Sequence, residues 1–98
     1  MRHTVDPGLY ALNFPLPDSP LLVTANYKMS FDRLRESLPG LSAWILVLDT
    51  AGINVWCAAG KGTFGTEELI NRLEGCGVAR VVSHRRLILP QLAGPGVA

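Results

Sequence analysis

Runs of apolar positions, broken by proline and glycine, divide the chain into short elements. Leu21-Leu22-Val23-Thr24-Ala25 is an apolar, partly β-branched run that suits a buried strand. Ser30 is placed to cap a helix from Phe31 to about Leu38, with Phe31, Leu34 and Leu38 on one face and Met29 able to staple against Leu34. Pro39-Gly40 ends that helix. Ala43 to Leu48 is apolar at every position, the pattern of a strand covered on both faces and typical of parallel sheets. Asp49-Thr50-Ala51-Gly52 supplies a turn, after which Ile53 to Ala59 alternates and then becomes Ala-rich, so a short strand and a short helix are both open there. Thr66 is placed to cap a second helix, with Glu67 and Glu68 in its first turn and Leu69, Ile70 and Leu73 on its buried side. Gly75-Cys76-Gly77 closes it, and Val78-Ala79-Arg80-Val81-Val82-Ser83 has the β-branched content of a further strand.

The order β-α-β-turn-α-β implies right-handed crossovers, and hence an α/β class, Rossmann-like, with a mostly parallel sheet. Pro7, Pro15, Pro17 and Pro20, with Gly8, exclude a helix or an inner strand from the first twenty residues, so 1–20 reads as an extended arm and 21–98 as one α/β domain. From His84 onward the pattern is a loop with one short apolar element, so the sheet is expected to be unfinished at its C-terminal side. Ligands of such sheets sit at the carboxyl ends of strands. That rule nominates Asn26 with Tyr27 and Lys28 after the first strand, and Ser83 and His84 with Arg85 after the last.

Composition narrows the function. Of 98 residues, 48% are hydrophobic and 17% charged, which argues for a packed interior and against disorder. Nine basic and eight acidic residues give a formal charge of +1. No basic run exceeds Arg85-Arg86, which argues against a nucleic-acid partner. The longest apolar run, Ala43 to Leu48, is far short of the ~20 residues of a membrane span, and the polar start Met1-Arg2-His3-Thr4 has no signal-peptide character. A cytoplasmic location with reduced thiols is therefore expected. Cys57 and Cys76 are too few to hold an iron-sulfur cluster, so any low-potential electron must come from elsewhere.

The densest chemistry lies in Asn54-Val55-Trp56-Cys57-Ala58-Ala59-Gly60-Lys61-Gly62-Thr63, where a thiol is set among small residues that would let a flat ligand approach the backbone. Cys57 as a small buried hydrophobe is the plainer alternative. A phosphate loop is excluded, because its spacing needs glycine where Val55 stands and Ser or Thr where Gly62 stands. A Cys57–Cys76 pair for direct mercury capture is a further reading, although nothing in their separation requires proximity.

Asn54 to Lys61 resembles the signature N-(V/I)-W-C-A-(A/G)-G-K of the corrinoid protein of microbial mercury methylation, HgcA, at all eight positions. Val23 to Asp32, Leu48-Asp49-Thr50, Gly62 to Thr66 and Val82 to Arg85 are also similar to that family. The wider superfamily includes the large subunit of the corrinoid iron-sulfur protein of the acetyl-coenzyme A pathway, which has a similar Leu-Pro-Gln-Leu segment.

The resemblance implies a three-layer cobalamin-binding domain of an anaerobic methyltransferase. Cys57 would lie on a cap helix as lower axial thiolate of cobalt, and a methyl group would pass to Hg(II). It also implies a folate-linked methyl donor, a ferredoxin-like reductase, and anchoring of full-length members in the inner membrane by a domain outside these residues. Asn54, Val55, Trp56, Ala58, Ala59, Gly60, Lys61, Thr63 and Thr66 become cofactor contacts on this reading, with Asn26, Ser83 and His84 behind them. The alternative of a different class is a non-catalytic corrinoid carrier subunit with no cobalt-sulfur bond. A cofactor-free thiol module is the third.

Overall fold

A computed structural model describes residues 4–51 and 66–89. Three strands, β1 (Gly8–Leu12), β2 (Leu21–Ala25) and β3 (Ala43–Leu48), form one sheet in the order β1-β3-β2. β2 runs parallel to β3, with Leu21 opposite Trp44 and Ala25 opposite Leu48. β1 runs antiparallel to β3, with Gly8 opposite Val47 and Leu12 opposite Ala43. The sheet among the described residues is thus mixed, which corrects the mostly parallel sheet expected above. β1 supplies the exception. It forms within the proline-rich arm because it occupies an edge and Pro7 and Pro15 flank rather than interrupt it, leaving its ladder donors intact.

β3 is central and covered on both faces, as its unbroken apolar run predicted. On one face Leu46 and Leu48 join Leu21, Val23 and Ala25 of β2. This layer packs against Leu69 of α2 (Thr66–Gly75), Val78 of α3 (Val78–Val81) and Val82. On the other face Tyr10, opposite the buried Ile45, meets Phe31 of α1 (Lys28–Glu36) edge-on at 5.1 Å between ring centroids. Helices therefore lie on both faces of the sheet, giving the three-layer α/β arrangement.

α1 starts at Lys28, earlier than expected. Tyr27 is its N-cap residue and makes no side-chain cap bond, so Ser30 lies inside the helix rather than capping it. Met29 is half exposed and does not act as a staple. The helix ends where the Ser37 amide donates to Arg33 O at 3.1 Å and Leu34 O at 3.2 Å, and Ser37 Oγ donates to Leu34 O at 2.7 Å. In α2, Leu69 is buried and Leu73 partly so, whereas Ile70 turns outward.

The largest departure from expectation is Val78 to Ser83, read as a strand from its valines. Gly77 adopts the left-handed conformation at φ 62°, a position where glycine carries no Cβ penalty, and reverses the chain directly into α3. Val78 and Val82, four apart, then fall on one side and both enter the core. Burial at helical spacing outweighs β-propensity, which is weak and context-dependent. The chain afterwards returns along the outer edge of β2. Val23 N donates to Ile88 O at 3.0 Å, and Ile88 N donates to Leu21 O at 2.9 Å, a single parallel bridge.

Candidate functional site at the carboxyl end of the parallel strands

β2 and β3 end side by side, at Ala25 and Leu48. The next residues are polar and tie the two strand ends together. Asn26 Oδ1 accepts two hydrogen bonds from Thr50, one from its backbone N and one from Oγ1, each 2.9 Å. Both residues are buried, Thr50 almost completely. Removing one partner from such a buried pair leaves unsatisfied groups, at a cost of about 1–3 kcal/mol. The backbone of Asn26 is fixed as well, its carbonyl accepting from Val5 N at 2.9 Å.

The turn that follows β3 is held by side chains. Asp49 N donates to Glu68 Oε2 of α2 at 2.6 Å, and Ala51 N donates to Asp49 Oδ1 at 3.0 Å. Ala51 sits in the left-handed region at φ 58°, which this short aspartate turn stabilises. Glu68 is in turn gripped by Arg72 one helical turn on, Nε to Oε2 at 3.1 Å and NH2 to Oε1 at 3.4 Å. The hydrogen bond to Glu68 raises the Arg72 pKa above its already high ordinary value, against an opposing desolvation effect. The Arg72 guanidinium stays protonated throughout the neutral range.

Of the residues nominated from the sequence, Asn26 therefore lies at the carboxyl end of the parallel strands. Thr66 is the first residue of α2. Asn54, Val55, Trp56, Cys57, Ala58, Ala59, Gly60, Lys61 and Thr63 lie outside the described residues. Ser83 and His84 are not brought together with Asn26. Because residues 78–81 are helical, Ser83 does not end a strand. Its amide donates to Pro17 O at 2.8 Å, at the amino end of β2. His84 Nε2 lies 2.7 Å from Ser19 O while Nδ1 accepts from Arg86 N at 3.2 Å. The Nδ1 acceptor role assigns the ring proton to Nε2, and neither nitrogen is left for a metal.

Thr50 and Glu68 are the working residues that the sequence reading left in lesser roles, as turn and helix-dipole residues. The available signal was a polar residue directly after each buried strand, Asn26 and Asp49-Thr50. Cys76 is free, partly buried and packed on the core cluster, as a structural cysteine would be. Among the described residues no group of three or more His, Cys, Asp or Glu gathers to hold a metal.

Two grooves are lined by described residues. One of about 400 Å³ is lined by Leu21, Leu73, Val78, Leu87 and neighbours, and a smaller one of about 290 Å³ by Asp18, Pro20, Arg86 and Ile88 among others, both beside His84. The larger of the two is mostly apolar, and the histidine it meets has both nitrogens engaged. Both lie toward the amino end of β2, away from the Asn26–Thr50 pair.

A sequence model of the family described as CO dehydrogenase/acetyl-CoA synthase delta subunit matches residues 2–95. The chain belongs to this family. It is 34% identical over 91 residues to the acetyl-CoA decarbonylase/synthase complex subunit gamma of Archaeoglobus fulgidus, covering 91% of this chain and 19% of the relative. The same-named subunit of Methanocaldococcus jannaschii is 35% identical over 91 residues, again 91% and 19%, and that of Methanopyrus kandleri 33% over 88 residues, 88% and 19%. The chain thus spans about a fifth of the length of the relatives it matches.

These matches overturn the assignment to mercury methylation. That assignment rested on the octapeptide and on flanking segments similar to the mercury family, whereas the family model over residues 2–95 and the relatives it agrees with lead to subunits of the acetyl-CoA complex. The reading as a cobalamin-dependent mercury methyltransferase falls with it, and the inner-membrane anchor implied by that resemblance is left without support. Among the described residues, no helix is long and apolar enough to cross a membrane.

Proposed function

We propose that this chain is the corrinoid-binding part of a methyl-carrying subunit, which presents its cofactor to partner subunits of an acetyl-CoA decarbonylase/synthase complex rather than completing a reaction alone. Family membership across residues 2–95 carries this reading. The geometry agrees with it, because the segment 52–65 departs from the carboxyl end of β3 and returns at Thr66, the side of an α/β sheet where ligands bind.

The donor set suits a corrinoid, a flat macrocycle edged with amides. Asn54, Lys61 and Thr63 are hydrogen-bonding groups for such amides, Trp56 offers an aromatic face, and Ala58, Ala59 and Gly60 permit close backbone approach. Asn26 accepts from Thr50 through Oδ1, and this pair forms the floor of the site beside which the ligand would lie. When bound, a corrinoid supplies a metal centre that accepts a one-carbon group and passes it on. The residues of this chain bind, orient and shield it. Two cysteines cannot hold a four-thiolate cluster, so reducing electrons arrive from an iron-sulfur centre outside these residues.

The carrier reading requires no cobalt-sulfur bond. Titration of the full chain with cobalamin, followed by visible absorption, should give saturable binding, and Cys57→Ala should saturate with the same spectrum. Failure of the wild type to bind cobalamin would overturn the proposal. A spectral difference between the two proteins would instead put the Cys57 thiolate on the metal.

A further inference from the structure

α3 is short, and what it buries decides what it leaves outside. Val78 and Val82, four residues apart, enter the core, while Ala79 and Arg80 stay exposed. The left-handed Gly77 turns α3 back beside the last turn of α2, and the chain then returns past His84 to the edge of β2 at Ile88. These pieces frame the larger groove, with Leu21, Leu73, Val78 and Leu87 as its apolar walls. The smaller groove shares Leu21 and His84 with it and reaches Ile88, which is 52% exposed. The two adjoin at the imidazole and form one apolar depression at the amino end of β2.

Charge around this depression is left open. Arg80 and Arg85 line the larger groove and Arg86 the smaller, and all three are exposed. Among the described residues, ion pairs join Lys28 and Arg35 to Asp32 and Arg72 to Glu68, and none reaches these three arginines. Glu74 and Asp18 also line the depression, yet neither pairs with any of them among the described residues. Arg85 gives one long bond of 3.4 Å to His84 O and keeps the rest of its fork. Planar forks beside apolar walls are suited to carboxylates brought from outside.

We propose that this depression docks an acidic segment of a partner protein, whose apolar side chains fill the groove and whose carboxylates pair with Arg80, Arg85 and Arg86. Charge complementarity selects that occupant: a basic segment would meet like charge, and a neutral one would gain nothing from the arginines. Assignment of the partner to the same complex rests on the carrier reading above, whereas the preference for acid does not. A partner docked here leaves the carboxyl end of the sheet free.

Two synthetic peptides of equal apolar content test this, one alternating leucine with glutamate and the other leucine with lysine, each titrated calorimetrically into the full chain at low salt. The glutamate peptide should bind about tenfold more tightly, and about 0.5 M NaCl should remove most of the difference. Arg80→Ala combined with Arg85→Ala should weaken the glutamate peptide about tenfold, as expected for two partly exposed ion pairs. Glu74→Gln removes an acid from the rim and should strengthen binding. Arg33→Ala, on the exposed side of α1, should leave it unchanged. All four positions are exposed, so these variants keep the fold, which circular dichroism checks. No saturable binding of the glutamate peptide, equal binding of both peptides, or an equal effect of Arg33→Ala overturns the proposal. Octanoate binding as tightly as the peptide also overturns it, in favour of a small amphipathic anion. So does a dimer in sedimentation that the double arginine variant dissolves, in favour of a second copy. Cobalamin titration is read separately, so the carrier reading and the docking site fail or stand independently.

Discussion

The two ends of the parallel pair are both fastened by side chains, but in different surroundings. At the carboxyl end backbone amides donate to side-chain oxygens of Glu68, Asn26 and Asp49, and the Asn26–Thr50 pair is buried. At the amino end the roles are mixed: Trp44 Nε1 donates to Leu16 O at 2.9 Å, His84 Nε2 to Ser19 O at 2.7 Å and Asn13 Nδ2 to Leu41 O at 2.7 Å, while Leu16 N donates to Ser19 Oγ at 2.9 Å and Arg86 N to His84 Nδ1 at 3.2 Å. The amino-end bonds secure loops that pass over the surface. Those at the carboxyl end include a buried pair and hold the turn at Asp49 to Ala51.

Several substitutions would break or sharpen this contrast. Leu46→Ala, in the central strand and fully buried, should cost about 2–5 kcal/mol in urea denaturation and loosen both ends together. Retention of either end in that variant, seen by amide exchange, would mean the ends are independent of the core. Asn26→Ala strands the buried Thr50 N and Oγ1 and should cost about 1–3 kcal/mol. His84→Ala breaks bonds whose partners water can reach, and should cost about 1 kcal/mol or less. A larger loss for His84 than for Asn26 would reverse the ranking of the two ends.

The smallest effect belongs to the helix surface, away from both ends. Hydrogen bonding from Lys28 lowers the Asp32 pKa below the ordinary carboxylate value of 3.8, with the charges of Lys28 and Arg35 adding to it against desolvation. The folded protein holds that proton less tightly than the unfolded chain. The stabilisation is therefore present above pH 3.8 and is lost as pH falls through the lower folded value. Asp32→Asn should slightly flatten the thermal midpoint measured against pH in that acid range, and should lower it by a small constant amount above that range, where the stabilisation is present. Exposure and screening keep the effect small.

Much of the sheet was legible because its code is local. The bounds of β2 and β3 follow from two uninterrupted apolar runs, and the start of α2 from Thr66 with two glutamates behind it. α3 was not legible, since valines at 78, 81 and 82 suit a strand as well as a helix until Gly77 reverses the chain and the core claims Val78 and Val82. β1 was read as an arm because its stability comes from pairing with β3, more than thirty residues away, rather than from its own composition. At the candidate site, Asn26 was legible as a polar residue after a strand. Its partner Thr50 and the grip of Glu68 on Asp49 depend on contacts 24 and 19 residues apart that no local pattern encodes. The octapeptide and its flanking segments misled for the opposite reason: short matched stretches carry chemistry but discriminate poorly between families, whereas the match over residues 2–95 is continuous.

The strand order has a consequence for how this protein comes to exist. β1 and β2 both precede β3 in the chain, yet they are not neighbours: each forms its ladder with β3, and β2 has in addition the single bridge from Leu22 to Ile88. Among the described residues before β3 no hairpin forms, so the two apolar strands gain their ladder partner only once Leu48 has been synthesised. Sheet formation then requires closing two long loops on one strand, a non-local topology that folds slowly and exposes strand edges meanwhile. The central strand that gives the finished domain its rigidity also decides the moment at which a nascent chain stops being vulnerable.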